Sequence, residues 1–517
     1  MLAKPKAGQY VLCFEMPTAP FMSLQNPLTA YPVGKTSAQW QQLKTDCPSL
    51  SDWGIKTLRQ GLDGYVGTVL MEPRYICKDH RNLFSNFYSK KTNPRSHECT
   101  RLHFFSDPDL TSRKFLLDGE TSQPGYLGYS VIRPVPERCL GRTVIDPYLV
   151  GRNVSAGFYT MRTPFRLHCS GHLLTTHGYP YMSQDTDVTV CAHATLWGVC
   201  RYLSERHSTY AELLPYDLVR LTAPTVGRVT PYRGMTYQDY SKILSDFGCH
   251  PVIILAKNPT TATTIMPEAL QEIYSYIESG LPVLASLHNA AVGGHVAALV
   301  GHTLDFNRPP ASDVDGLVDS SCFMDRFIVM DDNFFPYRLM GFPGDPQNYW
   351  SMFDIDKIVT GVCPFPEKVY LPAPKARNLA RKILKGYLSR GMRADFGTSD
   401  ANDPLVTRLF VTTGASWKNR KLRMAVTNGT TTDTINTFIP EFFLPHFIWV
   451  MEVAPYSLHR QGLCTAEIVL DATANELEES PVIYARIGAS LILGGRRQML
   501  PGHPGIYKQF THNLGEL

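Results

Sequence analysis

With 517 residues, a net charge of +4, 44% apolar and 19% charged residues, the chain is too apolar and too lightly charged to be disordered. Its short Lys and Arg runs (Lys418 to Arg423, Arg496 and Arg497) make no nucleic-acid footprint, and no stretch approaches the roughly eighteen apolar residues of a membrane span. Met1 to Met16 lacks a signal-peptide pattern, and twelve cysteines without close regular spacing argue against a disulfide framework, so the sequence predicts a reduced, cytoplasmic protein with no membrane and no nucleic-acid partner.

Length predicts about three domains, which we place at residues 1–165, 166–372 and 373–517. In the first, helices are expected over Ser37 to Leu43 and Asp79 to Lys90, the latter with Leu83, Phe84 and Phe87 on one side. The segments RLHFF, KFLLD, YLGYSVIRPV and RTVID then read as short strands broken by Pro, Gly and Asp. Phe165 to Leu174 and Tyr179 to Met182 are expected as strands leading into Gln184. After the Pro-rich crossing GVCPFPEKVYLPAPKA, a basic helix is expected from Ala376 to Arg390. Strands follow over Leu405 to Thr412, Leu444 to Val453, CTAEIVLD and PVIYARIG.

The middle unit carries the chemistry. In QDTDVTVCAHATLWGVC, Gln184 to Cys200, the apolar residues Leu196, Cys200 and Leu203 recur at i, i+4 and i+7, which predicts a helix after a polar loop over Asp185 to Val190. Cys191 falls in its first turn, where unpaired N–H groups and the positive end of the helix dipole favour a thiolate. In LPVLASLHNAAVGGHVAALVGHTLD, strands are expected over Leu281 to Leu287 and His295 to Val300, with a turn over Asn289 to Gly294. A third strand, Phe327 to Met330, runs directly into Asp331 and Asp332. Alternation puts these two acids on opposite faces, so only one can orient His295; the strand-end position favours Asp331, with Asp332 the alternative.

A glutamine, a cysteine at a helix start, GGHxxxLVGH and an apolar strand ending in Asp together resemble a papain-like cysteine peptidase, nearest the bacterial branch that processes bacteriocin leaders. GMTYQDYSKILSDFGCHPVII, a helix after a Gly-x-Thr cap and then a strand, adds to the likeness, which covers about Leu173 to Tyr337. The resemblance implies an α+β fold with the cysteine helix packed on an antiparallel sheet, and a bacterial source. It also implies Cys191 as nucleophile, His295 as general base and acid, Asp331 as orienting residue and Gln184 as an oxyanion-hole donor. The expected activity is hydrolysis of an amide bond in a specific protein or peptide partner through a thioester, with no cofactor, no metal and a possible regulatory protein partner. An acyltransferase of transglutaminase type on the same triad and a non-catalytic binding protein are the alternatives. His193, Cys200, His207, Cys249 and His250 lack the paired spacing of a zinc site. His302 faces away from His295, and the long 303–325 connection has the composition of a functional loop.

Overall fold

The computed structural model describes residues 28–92, 95–151, 157–185, 187–226, 234–257, 263–313, 316–400, 402–427, 439–475, 481–488, 490–493, 496–499 and 505–514. The expectations for Met1 to Met16 lie outside them. The fold is mixed α+β, with several sheets that are mainly antiparallel. Among the described residues no helix is long and apolar enough to cross a membrane.

The first sheet is a meander of β1 (Thr29–Tyr31), β2 (Thr68–Tyr75), β3 (Cys99–Phe105), β4 (Tyr126–Ile132) and β5 (Leu140–Ile145). Helices α1 (Ala38–Asp46), α2 (Asp52–Leu62) and α3 (Lys78–Asn86) are threaded between its strands. KFLLD is not a strand. It lies in α4 (Ser112–Asp118), where Thr111 accepts the Lys114 N–H as an N-cap and Phe115 enters the core. The expected strand over Phe165 to Leu174 is likewise divided, into the hairpin β7 (Thr163–Cys169) and β8 (His172–Gly178), because Ser170 and Gly171 both take positive φ and reverse the chain. Tyr179 to Met182 supplies only one bridge, Tyr181 to Thr143.

The central sheet runs β14 (Arg338–Met340), β13 (Met324–Met330), β11 (Gly293–Leu304), β10 (Val283–Asn289), β15 (Ile358–Pro366) and β9 (Cys249–Leu255). A short strand β6 (Phe158–Thr160) also pairs with β11, opposite Gly301 to Thr303. A Cβ at Gly301 would stand 2.2 Å from the Tyr159 carbonyl, so the close approach needs glycine there. Helix α5 (Cys191–Arg206) packs on β11 with nearly every residue of its first three turns buried, which explains why its sequence is apolar all round.

The C-terminal sheet is built on β16 (Leu405–Thr413), β17 (Phe447–Pro455), β19 (Ala466–Asp471) and β20 (Val482–Ile487). Helix α8 (Pro267–Glu278) touches both this sheet and the central one. At its end Glu278 binds His302 at 2.6 Å and the Arg408 guanidinium, all three buried. Burial opposes the charge on Glu278, but Arg408 and His302 outweigh it and hold the carboxyl far below its ordinary range. Helix α9 (Ala373–Leu388) is basic yet not a solvated face: Arg377 and Arg381 are buried against Asp319. The 303–325 connection pairs in parallel with β16 through Val318 and Asp319, so that part of it is a sheet strand. One apolar cluster runs from Leu58 through Trp197 and Leu299 to Trp449 and Leu514.

Candidate active site

The loop ahead of α5 is organised by the buried Asp185. One carboxylate oxygen accepts the N–H groups of Val188 and Thr189, each at 2.8 Å, and the other accepts the Tyr88 hydroxyl at 2.7 Å. An aspartate that gathers the N–H groups following it makes a turn without help from the rest of the fold. Lys91 and Arg95 fix the neighbouring Asp187, each at 2.8 Å. Val190 is then extended, and Cys191 is the first residue of the helix, half-buried, with the unpaired N–H groups of the first turn around it. Valine has no side-chain acceptor for a cap. Instead the Nδ1 of His193, in the third helical position, accepts the Val190 N–H at 3.4 Å, which is half of a capping box. Burial lowers the His193 pKa to about 4, so the ring is neutral and its Nδ1 can accept.

A buried ion pair anchors the helix from the other side. The Trp197 indole donates to Asp79 at 3.2 Å, and Arg142 binds the same carboxylate at 2.8 Å, which ties α5 to α3 and β5.

His295 stands near the start of β11, after a turn in which Gly293 adopts φ +84°. Its Nε2 lies 2.7 Å from Asp331 Oδ2, directly beyond β13. Cys191 stands close enough to this pair to help raise the His295 pKa. Asp331 is fully buried and fully occupied: Oδ1 accepts the Asn333 N–H at 2.9 Å and its side-chain amide at 3.2 Å, and the Tyr349 hydroxyl donates to Oδ2 at 3.1 Å. Burial alone would lower the His295 pKa. The Asp331 carboxylate, its hydrogen bond and the Cys191 thiol reverse the sign and hold the imidazole well above 6.5.

Asp332 behaves in the opposite way. Burial, and then the adjacent Asp331 charge, push its pKa up, while His295, Arg138 and the nearby Gln184 main chain oppose the rise. One of its oxygens has no partner. Its main-chain carbonyl accepts the Tyr181 hydroxyl at 3.0 Å. Arg133 donates to the Ser183 carbonyl at 2.8 Å and to the Gln184 carbonyl at 3.4 Å, which holds the main chain at Gln184. Tyr240 of α7 (Tyr237–Asp246) bonds Ser286 and faces Cys191; burial, then the thiol, raise its pKa to about 12. Helix α7 itself opens on the expected Gly-x-Thr cap, with Thr236 and Asp239 bonding each other's N–H groups.

The sequence reading did not anticipate the aromatic wall. Trp350 meets the His295 ring edge-on at 5.5 Å and Phe353 stacks on it at 5.8 Å, with Phe334 against Trp350 and Tyr349. The only hint was the aromatic density of YWSMF inside a Gly/Pro loop. His302, by contrast, is bound to Glu278 in the interior.

His295, Asp331 and Asp332 offer ligand atoms within 4.8 Å of one another, the composition of a metal site. Yet the 2.7 Å between Nε2 and Oδ2 is a hydrogen-bond distance, whereas two ligands on a common ion at about 2.0 Å stand roughly 3.3 Å apart. Among the described residues, no such cluster includes His193, Cys200, His207, Cys249 or His250. The arrangement has the parts for nucleophilic chemistry: a partly exposed thiol, an imidazole and a buried carboxylate in line. None of the protein-family models, curated proteins or solved structures compared with the chain matches it.

Proposed function

We propose that the chain is a papain-like cysteine peptidase acting on a protein or peptide partner. The observation that carries this reading is that His295, hydrogen-bonded to the Asp331 carboxylate, also lies beside Cys191, although the three residues come from α5, β11 and the end of β13. The further likeness to the branch that processes bacteriocin leaders rests on sequence alone.

In the proposed reaction His295 takes the Cys191 proton and the sulfur attacks the substrate carbonyl. The Cys191 N–H, at the positive end of α5, and the Gln184 amide hold the oxyanion. The imidazolium protonates the leaving amine, a thioester remains, and water activated by His295 hydrolyses it. The fixed carboxylate favours the imidazolium while the Trp350 and Phe353 rings shield the pair from water, which strengthens their interaction.

The test is to incubate the full chain and Cys191→Ala with a proteome-derived peptide library and read new N-termini by mass spectrometry. Cleavages present in wild type and absent in the variant are expected; identical spectra would remove the peptidase reading. Adding a primary amine separates hydrolysis from acyl transfer, which would leave amine adducts on the new C-termini.

A further inference from the structure

A second cluster lies on the first sheet, away from Cys191. In the register of β2 and β3, Leu70 is opposite His103 and Glu72 is opposite Arg101, so Glu72 and His103 are diagonal neighbours on one face. The hairpin of β7 and β8 packs over that face, with Phe165, Leu167 and Leu174 in the same apolar cluster as Leu70 and Phe105. The last residue of β7, Cys169, thereby brings its sulfur to the pair. One ligand atom from each of Glu72, His103 and Cys169 lies within 4.8 Å of the others, and His103 and Cys169 are fully buried.

We propose that Glu72, His103 and Cys169 form a zinc site. Thiolate, imidazole and carboxylate are the donors zinc takes in a four-coordinate site, and three protein ligands leave the fourth position to water. The 3.3 Å between His103 Nε2 and Glu72 Oε2 is long for a charge-assisted hydrogen bond and matches the spacing of two ligands on a tetrahedral ion. Two of the ligands also have the outer partner that orients metal ligands elsewhere. The other ring nitrogen of His103 meets the Tyr126 hydroxyl at 3.1 Å, and Arg101 binds Glu72 at 2.7 Å. As the S–Zn bond forms, the Cys169 thiol gives its proton to solvent. Thiolate and carboxylate then neutralise the ion. Arg101 keeps the His168 carbonyl and the Tyr75 ring face as its own partners. The Glu72 side chain is 22% exposed, which provides an entry route. Bound there, the ion would clamp the hairpin from which the chain continues to Gln184.

The experiment uses the full-length protein, stripped with a chelator and titrated with cobalt(II) as an optical substitute for zinc, together with Cys169→Ser, Glu72→Gln and Cys99→Ser. One equivalent with a thiolate-to-cobalt charge-transfer band is expected in wild type and in Cys99→Ser, whose thiol lies in the same core outside the set. The band should vanish in Cys169→Ser. Should that variant fail to fold, Glu72→Gln decides, because it keeps the side chain's size and should weaken binding about tenfold or more. Absence of tightly held cobalt in the folded wild type, a band that persists in Cys169→Ser, or an unchanged affinity in Glu72→Gln overturns the site.

Discussion

The Tyr181 hydroxyl donates to the main-chain carbonyl of Asp332 at 3.0 Å, one residue beyond the carboxylate that holds His295. The loop that leads to the nucleophile and the strand end that orients the imidazole are therefore one mechanical unit. The two adjacent acids have different parts in it: Asp331 carries a charge, and Asp332 carries a position.

That division predicts opposite outcomes for two isosteric changes. Asp331→Asn should reduce turnover severely, since the same change in a Ser-His-Asp triad costs on the order of 10⁴ in kcat. Asp332→Asn keeps the side chain's shape and the main-chain carbonyl that accepts Tyr181, and should stay within a factor of a few. Steady-state kinetics on a substrate found in the peptide screen distinguishes them, and the reverse order would make Asp332 the third residue.

Asp332 also leaves a signature in stability. Its folded pKa is raised by burial and by Asp331, so stability is lost as pH rises from the unfolded value of 3.8 through the folded one. Asp332→Asn removes this penalty, and its melting temperature should exceed wild type by about 2–4 °C at pH 8, the shift that roughly 1 kcal/mol gives in a large domain, and equal it near pH 4. A variant that is less stable at pH 8 would show that the charge is compensated.

The His295–Asp331 pair has its own window. The raised histidine contributes stability that is full below 6.5 and is lost as pH climbs through its folded value. The lowered aspartate contributes stability present above 3.8 and lost as pH falls through its folded value. The difference in unfolding temperature between wild type and His295→Gln should thus be largest between these limits and shrink on the alkaline side. A difference that grows with alkalinity contradicts the assignment.

Asp79 is 1% exposed and holds both Arg142 and the Trp197 indole. Asp79→Ala leaves the largely buried Arg142 guanidinium with Glu212 alone as a carboxylate partner, which costs about 3–5 kcal/mol. Denaturant unfolding reads this directly, and a loss below about 1 kcal/mol would mean that Glu212, 3.4 Å from Arg142, compensates alone.

Gln184→Ala tests the oxyanion role. Loss of one donor costs roughly 3 kcal/mol in the barrier, a factor of order a hundred in turnover, with folding intact because Gln184 is held through its main-chain carbonyl, which accepts Arg133 at 3.4 Å. Unchanged turnover would take the amide out of the mechanism.

The elements that carry the candidate site were legible in the sequence because each is locally encoded. Apolar spacing and an Asx loop set the start of α5 at Cys191, a Thr–Asp capping box starts α7, and β13 ends where its apolar run meets Asp331. What failed was set by non-local packing or by single backbone angles. KFLLD has strand-like composition, but Thr111 caps it as a helix and Phe115 finds the core in that form. The turn at Ser170 and Gly171 depends on positive φ at a serine, which pattern reasoning does not expect. His193 folds its ring back to accept the N–H that Val190 leaves over, a contact that residue pattern alone does not show. The wall of Trp350 and Phe353 reaches His295 from more than fifty residues along the chain, across a Gly/Pro loop without periodicity.

The central claim is that Cys191 and His295 act as one chemical unit, and cysteine alkylation across pH tests it most directly. Among the described residues Cys191 and Cys322 are the two partly exposed cysteines, and burial raises the Cys322 pKa to about 11, which makes it the internal control. Iodoacetamide labelling read by mass spectrometry should modify Cys191 rapidly well below pH 8 in wild type, lose that rate in His295→Ala, and leave Cys322 slow in both. Cys191 labelling no faster than Cys322, or at a rate indifferent to His295, would contradict the account.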